Sequence, residues 1–227
     1  MLTPERFVDT IVEGLRVVGN AGDAAAMRRY MRDQFDFAGV KTPQRRALSR
    51  PLIAAARRAL SEAERLDTAA RLWRQPWREC QMVACDLLAD RAHTLSAAAL
   101  PLLDTLIGSK SWWDSVDGLA AQVLGPLLAQ HPALLPSMDA WAAGERLWHK
   151  RAAILFQLSY RGETDAERLF RYCHDNAGHP DFFIRKAIGW ALRQHARVAP
   201  DAVSAFLIAE GARLSPLSRR EASKHLN

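Results

Sequence analysis

The 227-residue chain is poor in cysteine: there are three, at 80, 85 and 173, and no Cys-x-x-Cys pair. An odd, sparse set argues against a disulfide framework or a thiolate zinc site and implies reduced thiols. The seven histidines are scattered, with no His-x-x-x-His pair, so neither a metal nor a cofactor is expected. No apolar run approaches the length of a membrane span. The opening MLTPERFVDTIVEGL lacks the basic start and apolar stretch of a signal peptide. The expectation is therefore a soluble, cytoplasmic protein that does not engage a membrane. Alternating β-branched segments are nearly absent, which leaves little room for strands. No stretch rich in Gly, Ser or Pro divides the chain, so one domain over residues 1–227 is expected.

What is present is helical. Ala, Leu and Arg dominate, and helix-start signals recur at short intervals. Thr3-Pro4-Glu5 and Thr42-Pro43 open helices with an N-terminal proline, and Ser61 with Glu64 fits a capping box. Pro76, Ser96, Ser111, Asp181, Pro200 and Leu217 mark further starts. Breaks fall at Gly108, His131-Pro132, Gly144, Gly162 and Gly178-His179-Pro180. Helical pairs recurring every roughly 35–45 residues suggest an all-α solenoid of the HEAT or armadillo type, with a plain helical bundle as the alternative. A solenoid curves, and its concave wall can wrap a rod-shaped partner.

The formal net charge is +6 and the pI about 9.6. Lys and Arg are dispersed along the chain rather than gathered in a tail, which fits a folded positive face and a polyanionic partner. Solvated outer helix faces are the plainer account of the same arginines.

The most informative stretch is Ser109-Lys110-Ser111-Trp112-Trp113-Asp114-Ser115-Val116-Asp117. Read as a helix capped by Ser111, it places Trp112, Val116, Leu119, Val123 and Leu127 on one buried face. Trp113 and Asp117, four apart, then share a different face. Taken singly, such a tryptophan packs against a neighbouring repeat and such an aspartate makes a surface or capping contact. Two further segments supply compatible parts. In Leu147–Phe156, Ala152, Leu155 and Phe156 read as core, which leaves Lys150 and Arg151 on a polar or groove-facing side. In Phe182–Arg193, the spacing of Lys186, Trp190 and Arg193 alternates basic and aromatic groups along one helical side, a mixture suited to nucleic acid.

These parts have a common chemistry. N3- and N7-alkylated purines are cations, and an indole face attracts a cation. Loss of such a base leaves an electron-poor sugar, which a fixed carboxylate stabilises while it positions water. Arginine matches the oxygens of a flanking phosphate. The leaving base is already cationic, so no general acid is needed.

At these residues the chain resembles the AlkD-like DNA alkylation repair family. The matching segments run in order along nearly the whole chain. They are Arg29-Tyr30-Met31 with Phe35, Phe37 and Gly39; Lys41-Thr42-Pro43 with Arg45-Arg46; Lys110 to Asp117; Lys150 to Gln157; Phe183 to Trp190; and Leu214 to Ala222. The string Ser-Trp-Trp-Asp-Ser-Val-Asp is the most specific of them. The resemblance implies HEAT-like repeats forming a concave basic groove for duplex DNA. It implies a monofunctional, metal-free glycosylase that excises cationic alkylpurines without turning the lesion into a deep pocket, and a monomer. It makes Asp117 the catalytic carboxylate, Trp113 and Trp190 the flanking aromatics, and Arg151 the basic residue beside Asp117. Tyr30, Thr42, Arg46 and Arg193 become DNA contacts, and Lys110 and Lys186 are expected to contact DNA as well. Ser159 stands where a basic DNA contact is expected. A HEAT-like protein that recognises DNA structure without excising bases is the alternative, although such a binder has no need of Asp117, which repels phosphate.

Overall fold

A computed structural model describes residues 2–226. Their regular structure is helical, fourteen α-helices with short 3-10 turns, plus one isolated bridge between Asp36 and Trp77. The chain divides into two compact units, one running to Leu95 and the second beginning at Ser96.

The first unit holds α1 (Pro4–Val18), α2 (Ala21–Tyr30), α3 (Thr42–Ala59), α4 (Glu62–Arg74) and α5 (Arg78–Ala89). The Thr3 hydroxyl accepts from the Arg6 amide to open α1, and Ser61 and Glu64 close a reciprocal capping box at α4. Phe7, Ile11 and Leu15 of α1 are fully buried and pack with α4, whose Ala69 and Leu72 are equally buried. α2 has no counterpart in the sequence reading. None of its residues is buried, so it carries no apolar stripe to read. Thr42 is the first helical residue of α3 rather than its cap, which is Lys41. The approach to α3 is fixed by Glu79, whose carboxylate accepts from the amides of Ala38, Gly39 and Val40 at 2.9–3.0 Å. Gly39 there has φ of 84°, and a β-carbon on it would lie 2.0 Å from the Asn20 carbonyl oxygen.

The second unit holds α6 (Leu100–Gly108), α7 (Trp113–Leu119), α8 (Gly125–Gln130), α9 (Leu135–Ala143) and α10 (Leu147–Leu155). It continues through α11 (Ala166–Asp175), α12 (Phe182–His195), α13 (Pro200–Glu210) and α14 (Pro216–Ala222). A π-helical turn over Ala120–Leu124 joins α7 to α8. Pro126 has no amide hydrogen to continue the ladder, and the Gly125 amide instead reaches back five residues to the Ala120 carbonyl. α10 is the axis of this unit. It packs against α6, α7, α9, α11 and α12, and every residue from His149 to Leu155 is buried. This corrects the expectation that Lys150 and Arg151 lie on a polar or groove-facing side of the helix. A helix with neighbours all round has no such side, and both cations are buried with partners.

Among the described residues Cys80 and Cys173 are buried, Cys85 is half-buried, and none of the three is in a disulfide. Burial pushes the Cys173 thiol well above its ordinary range. Among the described residues no helix is long and apolar enough to cross a membrane.

Candidate functional site

The site is built around Arg151. Its side chain is 1% exposed, so every donor of its guanidinium must find a partner within the protein. Nε donates to Asp117 Oδ1 and Nη2 to Asp117 Oδ2, each at 2.7 Å, a two-pronged grip of fork on carboxylate. Nη1 donates to the backbone carbonyl of Phe183, at the first turn of α12. One arginine on α10 therefore ties α7 to α12. Its guanidinium carbon also lies 5.6 Å from the ring centre of Trp190 and 5.8 Å from that of Phe183, within reach of both ring faces.

Asp117 keeps 18% of its side chain exposed. Burial pushes its carboxyl above the ordinary carboxylate range. The Arg151 hydrogen bonds and charge oppose that rise, and the neighbouring Asp114 adds to it. Trp113 begins α7 four residues ahead of Asp117 and is half-buried. Ser111 does not cap α7. The capping position belongs to Trp112, in extended backbone, while the Ser111 hydroxyl turns back to the Ile107 carbonyl at the end of α6. The indole of Trp112 packs with Trp148 and Phe183 at centroid distances of 5.7 and 5.1 Å, and those two rings lie 4.9 Å apart. This three-ring cluster holds the start of α7 beside the first turns of α10 and α12. Lys110, exposed in the preceding loop, has φ of 48°.

On α12, Lys186, Trp190 and Arg193 fall on one side, as their spacing predicts. Lys186 Nζ is 5.6 Å and Arg193 Cζ 5.9 Å from the Trp190 ring centre. Both cations also reach Glu221 on α14, at 2.9 and 3.1 Å. Sequence reasoning gave no role to Glu221, to the Phe183 carbonyl or to the ring cluster. Phe183 and Glu221 lie within the quoted segments, but nothing in their local pattern announces partners more than twenty residues away.

Lys150, next to Arg151, points elsewhere: Nζ donates to Asn176 Oδ1 at 2.5 Å, and burial lowers its pKa. Tyr30, Thr42 and Arg46 belong to the first unit and are exposed. Arg46 lines a shallow cavity with Arg50, Arg57, Asp86 and Asp90. Ser159 is exposed in the turn after α10. Among the described residues no group of three or more His, Cys, Asp or Glu could hold a metal ion.

A helical chain with a carboxylate gripped by a buried arginine beside the Trp190 indole defines a class, and comparison with known proteins identifies it. The family model described as DNA alkylation repair enzyme matches residues 11–226. A solved structure from Enterococcus faecalis, described as a predicted DNA alkylation repair enzyme, is 32% identical. It covers 92% of this chain and 96% of its own, with a TM-score of 0.84. The smu.31 protein of Streptococcus mutans UA159 is 17% identical over 79% of this chain and 92% of its own, with a TM-score of 0.62. AlkD2 from Streptococcus mutans is 17% identical over 79% and 89%, with a TM-score of 0.60. These last two likenesses are of fold. No curated protein sequence matches. The chain belongs to the DNA alkylation repair enzyme family, and its fold is that of the helical-repeat AlkD-type proteins.

Proposed function

We propose that this protein is a monofunctional DNA glycosylase that hydrolyses the N-glycosidic bond of cationic N3- and N7-alkylated purines in duplex DNA. The observation that carries the reading is Asp117, its carboxylate gripped by buried Arg151 and its side chain only partly buried, with the indole of Trp190 beside the same guanidinium. In the reaction the bond between C1′ and the purine nitrogen breaks. Its electron pair goes to the base, which departs neutral because it began as a cation. The sugar becomes electron-poor, and water adds to C1′ and loses a proton. Asp117 stabilises the developing positive charge and accepts a hydrogen bond from the attacking water. Because Arg151 fixes both carboxylate oxygens, Asp117 is oriented before substrate arrives. Trp113 and Trp190 present ring faces to the cationic lesion and its sugar. Tyr30, Thr42, Arg46, Lys110, Lys186 and Arg193 hold the DNA backbone. The carboxylate and indoles are partly exposed rather than sealed in a cavity, which favours action on the lesion without deep base flipping. The protein acts as a monomer in the bacterial cytoplasm.

The test is Asp117→Asn on methylated duplex DNA, with released bases separated by chromatography. Single-turnover release of 7-methylguanine should fall on the order of a hundredfold or more, the scale of losing a preorganised electrostatic stabiliser. Binding to undamaged duplex should stay near that of the wild type. Release at the wild-type rate would falsify the assignment, and a DNA-structure binder would release nothing even before mutation.

A further inference from the structure

Glu221 stands out as an acidic side chain inside the basic stripe of α12. Its side chain is only 6% exposed. Oε1 accepts from Lys186 Nζ at 2.9 Å, Oε2 from Arg193 Nη1 at 3.1 Å, and Lys224 Nζ lies 3.0 Å from both oxygens. Three cations around one carboxylate leave two net positive charges. The carboxylate therefore subtracts from the attraction for phosphate, and an added attraction cannot be its purpose.

The surrounding packing is built to bring it there. α14 opens with Ser215, whose hydroxyl accepts from the Ser218 amide, and the Ser218 hydroxyl donates to the Arg185 carbonyl of α12 at 2.9 Å. Gly189 of α12 leaves the gap into which Glu221 fits. A β-carbon at 189 would lie 2.5 Å from the Glu221 β-carbon and 3.0 Å from the Ser218 carbonyl oxygen. Lys186 and Arg193 are seven residues apart on α12, about two helical turns, and the indole of Trp190 lies between them. Left to themselves, two long cations so placed repel one another and sample many rotamers.

We infer that Glu221 is a positioning residue of the glycosylase site: it tethers Lys186 and Arg193 on either side of Trp190, so that indole and cations meet the DNA in one fixed arrangement. The inference rests on the proposed function for its catalytic consequence and on the ion-pair geometry alone for the tethering. The hydrogen bond from Lys186, with help from Lys224, pulls the Glu221 carboxyl down to about 2, so the tether is charged throughout the neutral range.

The deciding variant is Glu221→Gln, compared with the wild type and with Glu221→Asp, which keeps the charge. Removing the negative charge should leave affinity for undamaged duplex equal or higher. Single-turnover base release at saturating enzyme should nevertheless fall by roughly tenfold, since small misplacements of binding groups slow chemistry. Glu221→Asp should recover part of that loss. In the Arg193→Gln background, Glu221→Gln should cost much less than it does alone, because the two act as a unit. NMR order of the Arg193 side-chain Nε–H group reads the tether without any catalysis, and it should drop in Glu221→Gln. Unchanged Arg193 order overturns the proposal, and so does base release equal to wild type with reduced order. Parallel loss of affinity, release and melting temperature also overturns it, because that pattern marks a merely structural contact. If wild-type protein releases no base, the glycosylase reading fails, and the NMR measurement still decides the tether.

Discussion

Arg151 carries more of this site than any other side chain. It supplies no charge to the surface, being 1% exposed, and its three bonded nitrogens face inward to Asp117 and the Phe183 carbonyl. Two consequences follow from removing it by Arg151→Met. Asp117 loses the two hydrogen bonds and the charge that hold its pKa down, while the burial that raises it persists. The ionised form, which the proposed reaction needs, is then lost at a higher pH. The acid limb of the rate profile, corrected for spontaneous depurination, should move upward relative to wild type. Stability should also fall, by about 3 kcal/mol, because a partly buried carboxylate is left without its counter-charge. Denaturant unfolding at pH 7 and at pH 5 checks the second point, and the loss should be smaller at pH 5, where the carboxyl more readily protonates. The shared side of Lys186, Trp190 and Arg193 on α12 was legible from their spacing. The inward turn of Arg151 and Lys150 was not, because burial on α10 is set by helices that arrive from elsewhere in the chain.

At the scale of elements, local signals placed most helix ends well. Thr3, Ser61 and Asp181 cap their helices with side-chain hydrogen bonds. The misses have physical causes. α2 buries nothing, so no periodic stripe marks it. The helix expected to be capped by Ser111 starts one residue later, because the Ser111 hydroxyl bonds back to α6 and Trp112, in extended backbone among its ring partners, takes the capping position. The π turn at Ala120–Leu124 adds a residue to the ladder, yet Leu119, Val123 and Leu127 are all buried, as the face assignment required. The junction of α12 with α14 gives a direct test. Gly189→Ala gains up to about 1 kcal/mol of helix propensity. It also forces a β-carbon to within 2.5 Å of Glu221, where overpacking costs about 1–3 kcal/mol. The clash should win, lowering the melting temperature by a few degrees. Glu221 moves with it, so base release should slow as well. A melting temperature at or above wild type would show that the two helices separate without cost.

For the whole molecule, the titrating groups pull stability mostly one way. His149, His179 and His195 are all held below the ordinary histidine value, with burial the largest cause. A depressed histidine contributes stability above its unfolded value, about 6.5, and loses it as pH falls. Glu64, Asp104, Asp139 and Glu221 are depressed carboxylates, whose contribution is present above their unfolded values and lost on further acidification. Asp117, raised instead, works in the opposite sense. The melting temperature should therefore decline from pH 7 toward pH 3, with the carboxylate share of the decline confined to the range below about pH 5. A melting temperature that rises on acidification would contradict these assignments. The all-helical class, the excess of positive charge and the likeness to the family were determined by the sequence alone. Each is a matter of composition, helical period or a contiguous string of residues. Which cations pair with the protein's own carboxylates was decided by tertiary structure. The pairs that settle it join Asp117 to Arg151, Lys186 to Glu221 and Arg193 to Glu221 across 28 to 35 residues. Helical periodicity relates only near neighbours on one helix, so packing alone could bring these groups together.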